Sequence, residues 1–251
     1  MKFYRNLISA YCPGQGQMMY LKKKLMLKLI YTATILLTLT LTCLGSRAVT
    51  VISQQLPIAR EHCFIIDPGH GGVDGGATSC TGKLESSFNL EISLRLRDLL
   101  HFLGYQTRMI RTEDISVYTE GETIAAKKMS DLKERVRICE KTDGAILLSI
   151  HQNTFPDSRY SGAQIFYPAT DGSESLAKDL QKSLIATLNP GSNRSAKRTE
   201  GVYLMEHISC PGVLIECGFL SNPEEEAKLR TPEYQNQLCC VIAATVAAFI
   251  D

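Results

Sequence analysis

Residues 63–76 read CFIIDPGHGGVDGG, from Cys63 to Gly76, and the fold is decided there. Four apolar residues, Cys63 to Ile66, run into Asp67 and break at Pro68-Gly69. Proline cannot continue a central β-ladder and glycine takes dihedrals other residues avoid, so the stretch is a short buried strand ending in a turn. His70 follows, among five glycines (Gly69, Gly71, Gly72, Gly75, Gly76). An imidazole with bare backbone around it, at the carboxyl edge of a strand, has room to meet a metal or a bulky substrate. In open α/β sheets that edge is where ligands bind.

Outward from this stretch, apolar runs alternate with helical patterns. Gly82-Lys83-Leu84-Glu85 precedes a helix beginning at about Ser86, whose positions Phe88, Ile92, Leu96, Leu99 and Leu103 share one face and which stops at Gly104. Tyr105–Ile110 reads as a second strand and residues 111–129 as a long polar loop. A helix over Ser130–Lys141 leads to the buried run Ala145–Ile150, ending at His151. Ala163–Tyr167 is a short strand before a helix with Leu176, Leu180, Leu184 and Leu188 on one face, and Val213-Leu214-Ile215 is a buried strand ending at Glu216. Asn222-Pro223 followed by Glu224–Glu226 is a helix start, with a cap, a first-turn proline and acids at the positive dipole end. A last helix covers roughly residues 232–250. The pattern predicts a single α/β domain, residues 62–251, with a twisted, largely parallel sheet flanked by helices.

Ahead of that domain the composition changes. Eight of the 27 basic residues and none of the 26 acids lie in residues 1–60, which leaves 19 basic against 26 acidic beyond them, a balance of −7. An acidic body argues against nucleic acid as a partner. Residues 29–46, LIYTATILLTLTLTCLGS, are uncharged and follow Lys22-Lys23-Lys24 and Lys28. The expectation is a cytoplasmic tail over 1–24, a signal or membrane anchor over 25–46 and a linker over 47–61, with the body held outside the cytoplasm. An uncleaved anchor is the favoured form, because no small-x-small cleavage site stands out, and bulky Thr42 makes a poor lipoprotein cleavage before Cys43. Seven cysteines lie beyond the segment with no C-x-x-C spacing, which signals neither a zinc knuckle nor a disulfide framework.

Three strands thus end in a metal-competent or basic group: His70, His151 and Glu216. In a parallel sheet such ends share one edge, so the groups can converge. Glu85, ahead of a helix that packs back on the sheet, is a fourth. Two histidines and a glutamate make a zinc site of the His₂Glu type with an open fourth position. The remaining carboxylate, Glu216, is then free to act as general base. Rival readings exist for each residue. Glu91 is an alternative ligand or a solvated helix residue; Asp67 orients His70 or caps the loop; Asp74 is a further possible ligand. The glycine loop lacks the lysine and spacing of a phosphate cradle. Cys217 reads as a core residue rather than a nucleophile, and His62, His101 and His207 as surface or hydrogen-bonded side chains.

The segments DPGHGGVDGGA, GKLE with NLEI, SIHQN and VLIECGFLSNPEE together resemble the zinc-dependent N-acetylmuramoyl-L-alanine amidases of the amidase 3 family, from about residue 63 to the C-terminus. The resemblance implies one zinc ion on His70, Glu85 and His151, with Glu216 as catalytic base. It also implies a fold like that of zinc carboxypeptidases and peptidoglycan as substrate, cut between N-acetylmuramic acid and L-alanine of the stem peptide. Ser86-Ser87 depart from the family's usual Lys-Asp, and Cys217 from its usual small or β-branched residue. GAQIFY from Gly162, GVYLME from Gly201 and the loop at 111–129 are most similar to spore-cortex amidases of endospore-forming bacteria, which prepare muramic acid for δ-lactam formation. A zinc peptidase cutting within the stem peptide and a non-catalytic peptidoglycan-binding module are the other function classes. An extracytoplasmic protein partner stays open.

Overall fold

Three apolar runs become adjacent, fully buried strands. In the computed structural model, which describes residues 22–40 and 62–250, they are β1 (Cys63–Pro68), β3 (Ala145–Asn153) and β6 (Gly212–Phe219). With β2 (Gln106–Met109), β4 (Gln164–Tyr167) and β5 (Lys197–Arg198) they make one sheet of order β2-β1-β3-β6-β4-β5. The pairings are parallel except that β4 runs antiparallel to β6, so the sheet is mixed.

Alternation along each strand sorts the core into two layers. Phe64, Ile66, Ile146, Leu148 and Ile150 face one side, beneath α2 (Glu85–Phe102), α4 (Ser173–Thr187) and α7 (Pro232–Ile250). Ile65, Leu147 and Leu214 face the other, toward α3 (Ile124–Glu140) and α5 (Tyr203–His207). A sheet covered on both faces needs apolar residues at every position, which is why these strands show continuous runs.

Several boundaries move. α3 begins at Ile124, with the Thr123 side chain accepting from the Ala126 N–H at 3.1 Å, so the last six residues of the expected 111–129 loop are helix. β3 and β6 continue past His151 and Glu216 instead of ending there. On α2 the buried face is Phe88, Ile92, Leu96 and Leu100, while Leu103 is exposed. β5 and the short α5 have no counterpart in the sequence reading. The expected start of α6 (Pro223–Leu229) holds: Asn222 caps it by accepting from the N–H groups of Glu224 and Glu225.

The membrane segment does not hold. The chain divides into two units, Met1–Pro57 and Ile58–Asp251. In the first, residues 22–40 form a helix, α1. Among the described residues no helix is long and apolar enough to cross a membrane. α1 carries Lys22, Lys23, Lys24 and Lys28 in its first two turns. Thr32, Thr34, Thr38 and Thr40 add hydroxyls that bond back to α1 carbonyls. The expected anchor, the membrane as partner and the anchored extracytoplasmic localisation are therefore overturned. The expected tail over 1–21, residues 41–46 and the linker to 61 lie outside the described residues.

A buried ion pair ties α3 to the sheet. Arg135 donates to the Asp67 carboxylate at the end of β1, both almost wholly buried, and the Ser149 hydroxyl donates to the other Asp67 oxygen at 2.6 Å. Burial opposes the Asp67 charge, but Arg135 and Ser149 outweigh it and hold the carboxyl below its ordinary value. Removing one member of such a pair strands the other. Asp67→Ala is expected to cost about 3–5 kcal/mol in urea unfolding, and adding Arg135→Met to that variant is expected to recover part of the loss.

Candidate metal centre

The loop after β1 is shaped by what surrounds it. A Cβ on Gly69 would lie 2.3 Å from the His151 ring, so only glycine lets that imidazole pack against the loop. A Cβ on Gly76 would lie 2.6 Å from Glu85 Oε2 and 2.7 Å from His70 Cδ2. Between these two positions His70 has a φ of +60°, the left-handed region that side chains rarely adopt. The loop turns back on itself: the Gly71 N–H donates to the Asp74 carbonyl at 2.7 Å, which returns the Asp74 carboxylate to His70. His70 Nδ1 lies 3.1 Å from Asp74 Oδ1. A carboxylate can only accept, so Nδ1 carries a proton, and Nε2 is the nitrogen turned to the cluster. Nε2 points at Glu85 Oε2, 3.3 Å away.

Glu85 opens α2 with its side chain 5% exposed. Its carboxylate accepts from the N–H groups of Ala77 at 2.9 Å and Gln152 at 3.1 Å and from Asn89 Nδ2 at 3.2 Å. His151 Nδ1 lies 3.1 Å from Oε1. Burial opposes the charge, yet the hydrogen bonds and charges of His151 and His70 outweigh it and hold the carboxyl well below the usual range. Burial likewise works against the His70 imidazolium, and Glu85 and Asp74 more than offset it, so His70 lies above its ordinary value.

His151 stands in β3 directly opposite Glu216 of β6 in a parallel register. Paired residues of parallel strands project to the same face, so the topology puts this imidazole and this carboxylate side by side. The rings of His70 and His151 are 5.1 Å apart at 75°. One ligand atom each from His70, Glu85 and His151 lie within 4.8 Å of one another, a group that could hold a metal ion. The donor set fits: two imidazoles whose partners fix their orientation, and a carboxylate already stripped of water.

Glu216 Oε2 is buried with no hydrogen-bond partner. Burial pushes its carboxyl up to about 7, with His151 opposing and Glu85 adding to the shift. Together with His70, Asp74 and His151 it lines a cavity of about 380 Å³ whose walls include Val73, Tyr118 and Ile124.

The structure thus brings the four sequence-predicted residues to one sheet edge, with Asp74 beside them on His70. Glu91 pairs with Lys83 at 2.7 Å. Asp67 does not orient His70; that place belongs to Asp74, which also meets Lys128 at 3.1 Å. Cys217 is fully buried core, and His207 stacks on Tyr203. Asp74 could have been singled out as the acid four residues after His70 in a loop whose glycines permit the return. Asn89 carried a signal too, as an amide next to Phe88 and one turn before Ile92 on the buried face of α2.

The sequence model of the Amidase_3 family, N-acetylmuramoyl-L-alanine amidase, matches residues 64–248. The chain is 40% identical over 191 residues to the germination-specific N-acetylmuramoyl-L-alanine amidase of Bacillus subtilis (strain 168), spanning 75% of this chain and 79% of that protein. It is similar in structure to the CwlD amidase from Clostridioides difficile in complex with the GerS lipoprotein, with a TM-score of 0.72 and 35% identity, covering 75% of this chain and 98% of that one. The N-acetylmuramoyl-L-alanine amidase from Clostridium difficile 630 has a TM-score of 0.66 at 30% identity, covering 77% and 98%. With its cluster of two imidazoles and a carboxylate on the shared fold, the chain belongs to the Amidase_3 family of N-acetylmuramoyl-L-alanine amidases, a family of hydrolases.

Proposed function

We propose that the chain is a zinc-dependent amidase that hydrolyses the bond between the lactyl group of N-acetylmuramic acid and L-alanine of the stem peptide, in maturation of the spore cortex. The observation that carries the chemistry is the His70–Glu85–His151 cluster, with an unpartnered carboxyl oxygen of Glu216 in the cavity that His70 and His151 line. The 40% identity to a germination-specific amidase carries the cortex role. Two imidazoles and a carboxylate are zinc donors, and zinc held there would supply a Lewis acid for the scissile carbonyl and for water.

The protein's own groups do the rest. His70, Glu85 and His151 would hold the ion, with Asp74 keeping a proton of His70 on Nδ1. Glu216 Oε2, free of hydrogen bonds, takes a proton from the attacking water. It then gives that proton to the alanine nitrogen as the C–N bond breaks, leaving a lactyl carboxylate and a free amine.

Incubating the protein with purified peptidoglycan and weighing the products tests the reading. Stem peptides beginning in L-alanine are expected, and Glu216→Gln should lower their rate of release by about 10²–10⁴-fold. Cleavage inside the peptide would instead mean a zinc peptidase. His151→Ala is expected to lose stoichiometric zinc while keeping its far-UV circular dichroism; a variant that kept its zinc would refute the ligand set. A third expectation concerns the metal-free protein. Between the ordinary carboxyl value of 4.5 and about 7, folded Glu216 holds a proton that the unfolded chain has released. Stability therefore falls as pH rises through that window. Glutamine does not titrate, so the stability of Glu216→Gln relative to the parent should grow by about 2–3 kcal/mol between pH 4 and pH 8 in denaturant titrations.

A further inference from the structure

The three members of the cluster come from segments far apart in the chain, and one buried amide touches all three segments. Asn89 lies one helical turn after Glu85 on α2 and is fully buried. Its Nδ2 donates to the Gly69 carbonyl, just before His70, at 3.2 Å, and to Glu85 Oε1 at 3.2 Å. Its Oδ1 accepts from Nε2 of Gln152, the residue after His151, at 3.2 Å. Chemistry fixes which way the amide points: a carbonyl and a carboxylate both require a donor, so Nδ2 must face them and Oδ1 must face Gln152. Gln152 closes the figure, since its own backbone N–H reaches the same Glu85 oxygen at 3.1 Å.

Burial makes this arrangement informative. Asn89 shares the inward face of α2 with Phe88, Ile92 and Leu96, where leucine would fill the space without a polar group to satisfy. A buried amide is tolerated there only because its hydrogen bonds are made. Each of those bonds ends on Glu85 or on a residue next to one of the two histidines. Arg111 adds a second tie of the same kind, its Nη2 donating to the Gly69 carbonyl at 3.0 Å and to the Ser86 carbonyl at 2.9 Å.

We infer that Asn89 is the positioning residue of this centre: its side-chain amide holds the segments of His70, Glu85 and His151 at metal-binding spacing. This rests on reading the cluster as a metal site. Asn89 acts through Glu85 and through the backbone beside the histidines. Partners of this outer kind typically govern metal affinity by about 10–100-fold.

The test measures zinc affinity by chelator competition and the visible absorption of the cobalt-loaded protein, on the full chain. The proteins compared are the parent, Asn89→Ala, Asn89→Asp and, as a packing control on the same helix, Ile92→Val. Asn89→Ala should bind zinc about 10–100-fold more weakly and shift the cobalt bands, whereas Ile92→Val should leave both unchanged. Asn89→Asp keeps the shape and loses the donor. It should also bind more weakly, although its added negative charge alone would strengthen cation binding; should Asn89→Ala not fold, this variant decides. Parental affinity and parental cobalt bands in the folded Asn89 variants would overturn the inference. A parent protein without stoichiometric zinc would refute the metal site itself, and the inference with it.

Discussion

Glu85 must remain an anion where burial opposes charge, and much of the site follows from that one constraint. A carboxylate with its side chain 5% exposed has lost its water, and an unpaired charge in such a place would simply take up a proton. Its oxygens are met instead by two backbone N–H groups, an amide and two imidazoles. Each partner fixes a piece of chain: Ala77 the end of the glycine loop, Gln152 the end of β3, Asn89 the first turns of α2. Satisfying one carboxylate therefore sets the relative positions of three segments far apart in the chain.

The contrast between Glu85 and Glu216 is the chemical content of the site. Both carboxyls lie close to the two histidines. Glu85 takes hydrogen bonds and direct contacts with both rings and stays charged, whereas Glu216 has a buried oxygen without a donor and is pushed toward neutral pH. Environment, not residue type, separates the acid that binds from the acid that exchanges a proton. The parallel register that places Glu216 opposite His151 keeps the two within one cavity.

His70, His151 and Glu216 could be picked out in the sequence because strand ends are marked locally, by apolar runs that stop at Pro68, His151 or Glu216, and Glu85 because an amphipathic helix follows it. The parallel core strands were legible for the same reason as the strand ends. The antiparallel direction of β4 and the presence of β5 were not, since direction and pairing depend on partners tens of residues away. Nor were Arg111 and Arg135, which bond carbonyls of the glycine loop from 42 to 67 residues away and leave no periodic trace. The α3 start at Ile124 was missed because 124–129 lacks an apolar stripe, although Thr123 offered a cap. The run at 29–46 misled in the opposite way: it is uncharged, yet among the described residues no helix is long and apolar enough to cross a membrane.

The left-handed backbone of His70 gives the molecule a lopsided evolutionary ledger at that position. A residue with a side chain is strained there by about 1–2 kcal/mol, whereas glycine is at ease. Glycine at position 70 would remove an imidazole from the cluster and relax the loop in the same step. Selection on folding alone therefore runs against this histidine, and only selection on chemistry keeps it. Gene copies released from the second pressure would be drawn toward glycine at this codon, so position 70 can distinguish working descendants of this chain from those retained for their shape alone.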